Sequence, residues 1–98
     1  MTLRVDPEKN EVYALKDVMD WRSKSVLEIG CGDGRLTRRL AQLGATIRAI
    51  DPDAKRIRMA RKALPQRFKK LVRYRVGHVG RLDYADQTFD AVVFAWSL

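Results

Sequence analysis

Three glycines at alternate positions, Gly30, Gly32 and Gly34, follow the apolar run Ser25 to Ile29, and a carboxylate, Asp51, follows a second apolar run ending at Ile50. A missing Cβ lets backbone bend sharply or approach a ligand closely. A helix that starts at such a turn adds unpaired N–H groups and the positive end of its dipole. An ionised acid at the end of the neighbouring strand can accept from paired hydroxyls such as those of a ribose. This combination describes a crevice for an adenosine-bearing cofactor. In a turn that cradles a dinucleotide pyrophosphate, the third glycine falls three residues after the second. Here that position is Arg35 and glycine comes one place earlier, which disfavours a nicotinamide dinucleotide. Asp51 also admits a purely local role, as cap of the helix that begins at Pro52, shared with Asp53.

The elements that must position these residues follow from periodicity. Asp6 and Pro7 open a leading helix predicted from about Pro7 to Asp20, with Val12, Leu15 and Met19 at helical spacing. Ser25 to Ile29 is predicted as strand one, buried on both faces. A helix from Asp33 to about Leu43 sets Leu36, Leu40 and Leu43 on one side and Arg35, Arg38, Arg39 and Gln42 on the other, and Gly44 supplies a left-handed stop. Ala45 to Ile50 forms strand two. The next helix opens at Pro52, carries the stripe Ile57, Ala60 and Leu64, and ends at Pro65. Strand three covers Leu71 to Val76 and stops at Gly77, Val79 to Thr88 is a loop, and Phe89 to Trp96 is strand four. Strands alternating with helices give an α/β fold, a Rossmann-like doubly wound and mostly parallel sheet of strand order 3-2-1-4 in three αβα layers, incomplete at the C-terminus.

Ninety-eight residues, 46% hydrophobic and 33% charged, suit a single domain over 1–98. No apolar run reaches the roughly 20 residues of a membrane span, and the first residues lack a signal-peptide core, so a cytoplasmic protein without membrane association is expected. Cys31 is the single cysteine, which excludes an internal disulfide and a cysteine-rich zinc centre; no metal site is expected. The net charge of +8 is uneven: ten of the twenty Lys and Arg lie between Lys55 and Arg75, and no acid occurs between Asp53 and Asp83. One reading is an electrostatic footprint for nucleic acid or another polyanion. The other is a solvated helix face with a basic loop, since no aromatic ladder interleaves the charges.

Val26-Leu-Glu-Ile-Gly-Cys-Gly-Asp-Gly34, Ala49-Ile-Asp-Pro52 and Val76-Gly-His, with Leu82 and Asp86-Gln-Thr-Phe-Asp-Ala-Val-Val93 beyond, resemble successive motifs of the class I S-adenosylmethionine-dependent methyltransferases. The resemblance covers most of Val26 to Leu98. It implies an enzyme that moves a methyl group from S-adenosyl-L-methionine to an acceptor not named by these motifs. It further implies that Glu28, Gly30, Cys31, Gly32 and Gly34 hold the methionine end, with Glu28 toward the ammonium group and Cys31 contributing backbone. Asp51 would hold the ribose and Pro52 would lie along the adenine. His78 and Val79 would meet the adenine edge, and Phe94 and Ala95 would flank the sulfonium. Where the family usually has Asp, this chain has His78, whose neutral ring offers one acceptor nitrogen and whose protonated ring offers none. Cofactor affinity would therefore fall as this histidine protonates.

Methyl transfer needs little acid–base help, so no catalytic residue is assigned. The family pattern continues past strand four, and the chain is expected to be an N-terminal portion whose activity alone stays open. Strand four, left at an edge, would expose unpaired backbone, which suggests self-association of two copies along it. Two competing functions are a nucleic-acid-binding module using the 55–75 surface and a nicotinamide-dependent oxidoreductase.

Overall fold

A computed structural model describes residues 2–5, 19–78 and 89–95. Five strands, β1 (Thr2–Val5), β2 (Ser25–Ile29), β3 (Thr46–Asp51), β4 (Val72–Val76) and β5 (Ala91–Ala95), form one sheet of order β1-β5-β2-β3-β4. Every ladder is parallel. Two helices, α1 (Arg35–Gln42) and α2 (Ala54–Ala63), and a 3-10 turn (Gln66–Phe68) connect β2 through β4. The predicted strands one to four are β2, β3, β4 and β5, and the predicted order 3-2-1-4 is present as β4-β3-β2-β5.

The fifth strand departs from the sequence reading. β1 pairs with β5, from Thr2 opposite Val92 to Val5 opposite Ala95. Four residues are too few to show a hydrophobic period, and the segment becomes a strand because β5 offers it an unused row of backbone groups. The edge expected to lie open on strand four is therefore occupied. Self-association along that edge loses its basis.

Local chemistry accounts for the remaining elements. Residues 26 to 28 of β2 are buried, as a strand covered on both faces requires. Its start is tied to β5 by the Ser25 N–H donating to the Asp90 carboxylate at 2.7 Å and the Asp90 N–H donating to the Ser25 carbonyl at 2.8 Å. α1 ends in a paired reverse turn: Gly44, at φ +91°, donates to Ala41 O at 2.9 Å and Ala45 donates to Leu40 O at 3.1 Å. Asp53 caps α2 by accepting from the N–H groups of Lys55 and Arg56. That helix stops where Leu64 takes an extended ψ of 120° ahead of Pro65. Most of the predicted leading helix lies outside the described residues. Its expected last residues, Met19 and Asp20, are not helical. Asp20 instead accepts from the Arg22 backbone at 3.1 Å and from its guanidinium at 2.7 Å, which closes a turn and holds the carboxyl down near 2.

Both helices pack on one sheet face. Val26, Ile47, Ala49, Tyr74 and Val93 from the strands meet Leu36, Leu40, Ile57, Ala60 and Phe68 in one cluster. Leu27 and Ile50 are buried on the opposite face. Because the strands are parallel and in register, their carboxyl ends form one rim carrying Gly30, Asp51, Gly77 and Ala95.

Candidate functional site

The glycine turn is held by β3. Gly30 and Cys31 both donate to the carbonyl of Ile50, at 2.9 and 3.0 Å, and Gly34 donates to Cys31 O at 3.0 Å. Gly30, Gly32 and Gly34 have φ of +78°, +56° and +87°, a region that suits residues without Cβ. The Asp51 carboxylate sits inside this turn: Oδ2 accepts from Gly32 N–H at 2.9 Å and Oδ1 from Asp53 N–H at 2.9 Å. Each oxygen keeps a second lone pair for a ligand. Asp51 does not cap α2, because Asp53 does.

Two of the glycines do more than clear space for a ligand. A Cβ on Gly34 would overlap the Tyr74 hydroxyl and lie 3.2 Å from the Ala60 Cβ, so this glycine lets α1 begin against β4 and α2. A Cβ on Gly30 would come within 3.1 Å of the Ala95 carbonyl, where the turn meets β5. At these two positions the missing side chain is also required by packing.

Beneath the turn lies a buried polar group. Glu28 is 0% exposed, and its Oε1 accepts a hydrogen bond from the Thr37 hydroxyl while Oε2 has no partner. Burial pushes its carboxyl up to about 7, the negative charge of Asp51 adds to the rise, and Thr37 and Arg38 oppose it. The Tyr74 hydroxyl is likewise buried without a partner, and burial raises it to about 12. Cys31 is buried, and burial with the neighbouring Glu28 and Asp51 charges pushes its thiol up, keeping it protonated and inert. Gly34 at the start of α1 has no side chain to cap it, and the Asp33 carboxylate just before it accepts from the Arg35 N–H at 3.3 Å, at the positive end of the helix.

A family model described as a methyltransferase domain matches residues 27–98. The chain belongs to the methyltransferase domain family. This domain is 38% identical over 90 residues to a ubiquinone biosynthesis O-methyltransferase of Methylocella silvestris, covering 92% of this chain and 34% of that protein. It is 38% identical over 71 residues to the mitochondrial ubiquinone biosynthesis O-methyltransferase of Mus musculus, covering 69% of this chain and 19% of that one. It thus spans about a third or less of these curated relatives. Its fold is similar to that of a magnesium protoporphyrin IX methyltransferase of Synechocystis crystallised with SAM, at a TM-score of 0.73 and 22% identity, over 86% of this chain and 40% of that one.

Within the methyltransferase domain, the residues singled out from sequence fall into two groups along the rim. Glu28, Cys31, Gly32, Gly34 and Asp51 are buried at the β2 and β3 ends, with Gly30 half-buried beside them. Pro52 and His78 are exposed, Gly77 between β4 and His78 has open space where a Cβ would be, and Phe94 and Ala95 are half-buried at the end of β5. Val79 and the predicted loop through Thr88 lie outside the described residues. Sequence reasoning missed Thr37 and Tyr74. The available signal was a hydroxyl at 37 beside the Leu36 and Leu40 stripe, where leucine or alanine would pack without a polar atom to satisfy.

Proposed function

We propose that the domain binds S-adenosyl-L-methionine across this rim and presents its methyl group to a nucleophile on a separate acceptor. When bound, the cofactor supplies an activated methyl on a sulfonium with a neutral thioether as leaving group. What supports the reading most is the Asp51 carboxylate turned into the glycine bend with a lone pair free on each oxygen. The orphaned Oε2 of Glu28 fits the same group, since a buried carboxyl oxygen without a donor favours a nearby cation.

Asp51 would accept from both ribose hydroxyls, and Glu28 would supply negative charge under the ammonium. The positive end of the α1 dipole would favour the carboxylate. Pro52, His78 and Val79 would border the adenine beside the open space at Gly77. Phe94 and Ala95 would flank the sulfonium and keep water from it. The chain's own contribution is orientation and desolvation of the reacting pair. Among the described residues no helix is long and apolar enough to cross a membrane. A reducing, cytoplasmic setting suits the buried thiol of Cys31.

Titration calorimetry with S-adenosylmethionine and its demethylated product tests the proposal. Saturable binding of both at a single site is expected. No heat with either, alongside fluorescence from bound NADH, would replace it with the oxidoreductase reading.

A further inference from the structure

At the sheet edge opposite β1, α2, the turn after it and β4 enclose an open groove of about 490 Å3 lined by Arg61, Leu64, Lys69, Val72, Arg73 and Tyr74. Its apolar floor is buried and its cations stand above it. Arg61 donates to the Tyr74 carbonyl at 2.8 Å, covering a backbone acceptor on the strand edge. Lys69 and Arg73 are exposed. The groove sits within the ten Lys and Arg of segment 55–75. Among the described residues, one of those ten meets an acid, Arg56 with Asp53 at 3.8 Å.

We infer that this edge is a docking surface for the phosphate backbone of a nucleic acid. A charged residue or two suffices to protect an edge strand, whereas this surface concentrates ten cations against, among the described residues, one paired acid and bears their mutual repulsion. Arginine forks and lysines around a groove suit phosphate oxygens. A membrane surface is a poorer match, because Ile57 and Ala60 of α2 are committed to the core and, among the described residues, the exposed large hydrophobics are Met59 and Val76 alone. Phe68 and Tyr74 are buried, and the Arg67 guanidinium lies 4.5 Å over the Phe68 ring, so neither ring offers its face to a base. Recognition is therefore of the backbone, strongly salt-dependent and tolerant of sequence. The inference stands apart from the cofactor reading, since Lys69 precedes β4 whereas the rim lies at its other end. A strand lying along β4 would nonetheless reach that rim past Arg75.

Fluorescence anisotropy of a labelled single-stranded RNA with the 98-residue chain, across a salt series, tests this. Binding should weaken steeply with salt. The triple exchange Arg61→Gln/Lys69→Gln/Arg73→Gln should lower affinity at least tenfold and flatten the slope of log K against log salt by about 2, at about 0.7 per lost phosphate contact. S-adenosylmethionine affinity should be unchanged in that variant, which separates this surface from the cofactor crevice. If the triple variant does not fold, Lys69→Gln alone should flatten the slope by about 0.7. No anisotropy change at about 50 mM salt, an unaltered slope in the variants, or tighter binding to anionic vesicles or polyglutamate than to RNA overturns the inference.

Discussion

Replacing Glu28 by Gln should stabilise the folded protein above neutral pH. In the unfolded chain this carboxyl ionises near 4.5, whereas burial holds it protonated up to about 7 in the fold. Below 4.5 both states carry the proton and nothing is lost. As pH rises, the unfolded chain releases its proton first, so stability falls until the folded carboxyl also ionises, and stays lower above that. The full difference is about 3 kcal/mol, most of which falls between about pH 5 and 8. Against a total stability of roughly 5–15 kcal/mol for a domain of this kind, that is readily measured. The amide introduced by Glu28→Gln keeps the shape and can still accept from Thr37 through its oxygen. Urea unfolding of wild type and Glu28→Gln at those two pH values isolates the effect, because every other titrating group is common to both. The variant should lose roughly 2–3 kcal/mol less than wild type over the interval. Parallel pH dependence in the two proteins would refute the assignment of a buried, protonated Glu28.

Gly34→Ala places a Cβ against the Tyr74 hydroxyl at a φ of +87°, and should cost about 2 kcal/mol or more by thermal unfolding, with partial recovery in Gly34→Ala/Tyr74→Phe. Asp53→Ala removes the α2 cap and should cost about 1 kcal/mol while leaving cofactor affinity unchanged in calorimetry. Cys31 should react with a thiol reagent at the rate of global unfolding, since it is 5% exposed and its thiolate is disfavoured; rapid labelling of the native protein would contradict its placement.

The elements that sequence located well are those whose signals are local. The Leu36 and Leu40 stripe with Gly44 behind it fixed α1, and Pro52, Asp53 and Pro65 bracketed α2. β2, with no polar residue after Ser25 to mark a face except Glu28, was legible from length and β-branching. What sequence did not show are features that exist only across the fold. Thr2–Val5 is a strand because β5 is there to pair with it. Gly34 is a glycine because Tyr74, forty residues away, occupies its side-chain space. Asp51 and Asp53 offer the same carboxylate two residues apart, and only the turn back toward Gly32 separates Asp51 from the helix cap.

The most direct test compares S-adenosylmethionine affinity in wild type and Asp51→Ala by calorimetry. A charged hydrogen-bonding group contributes roughly 1.5–3 kcal/mol, so the variant should bind about ten to a hundred times more weakly. Unchanged affinity in Asp51→Ala, with wild type binding normally, would contradict the claim that this carboxylate inside the glycine turn is the seat of the cofactor.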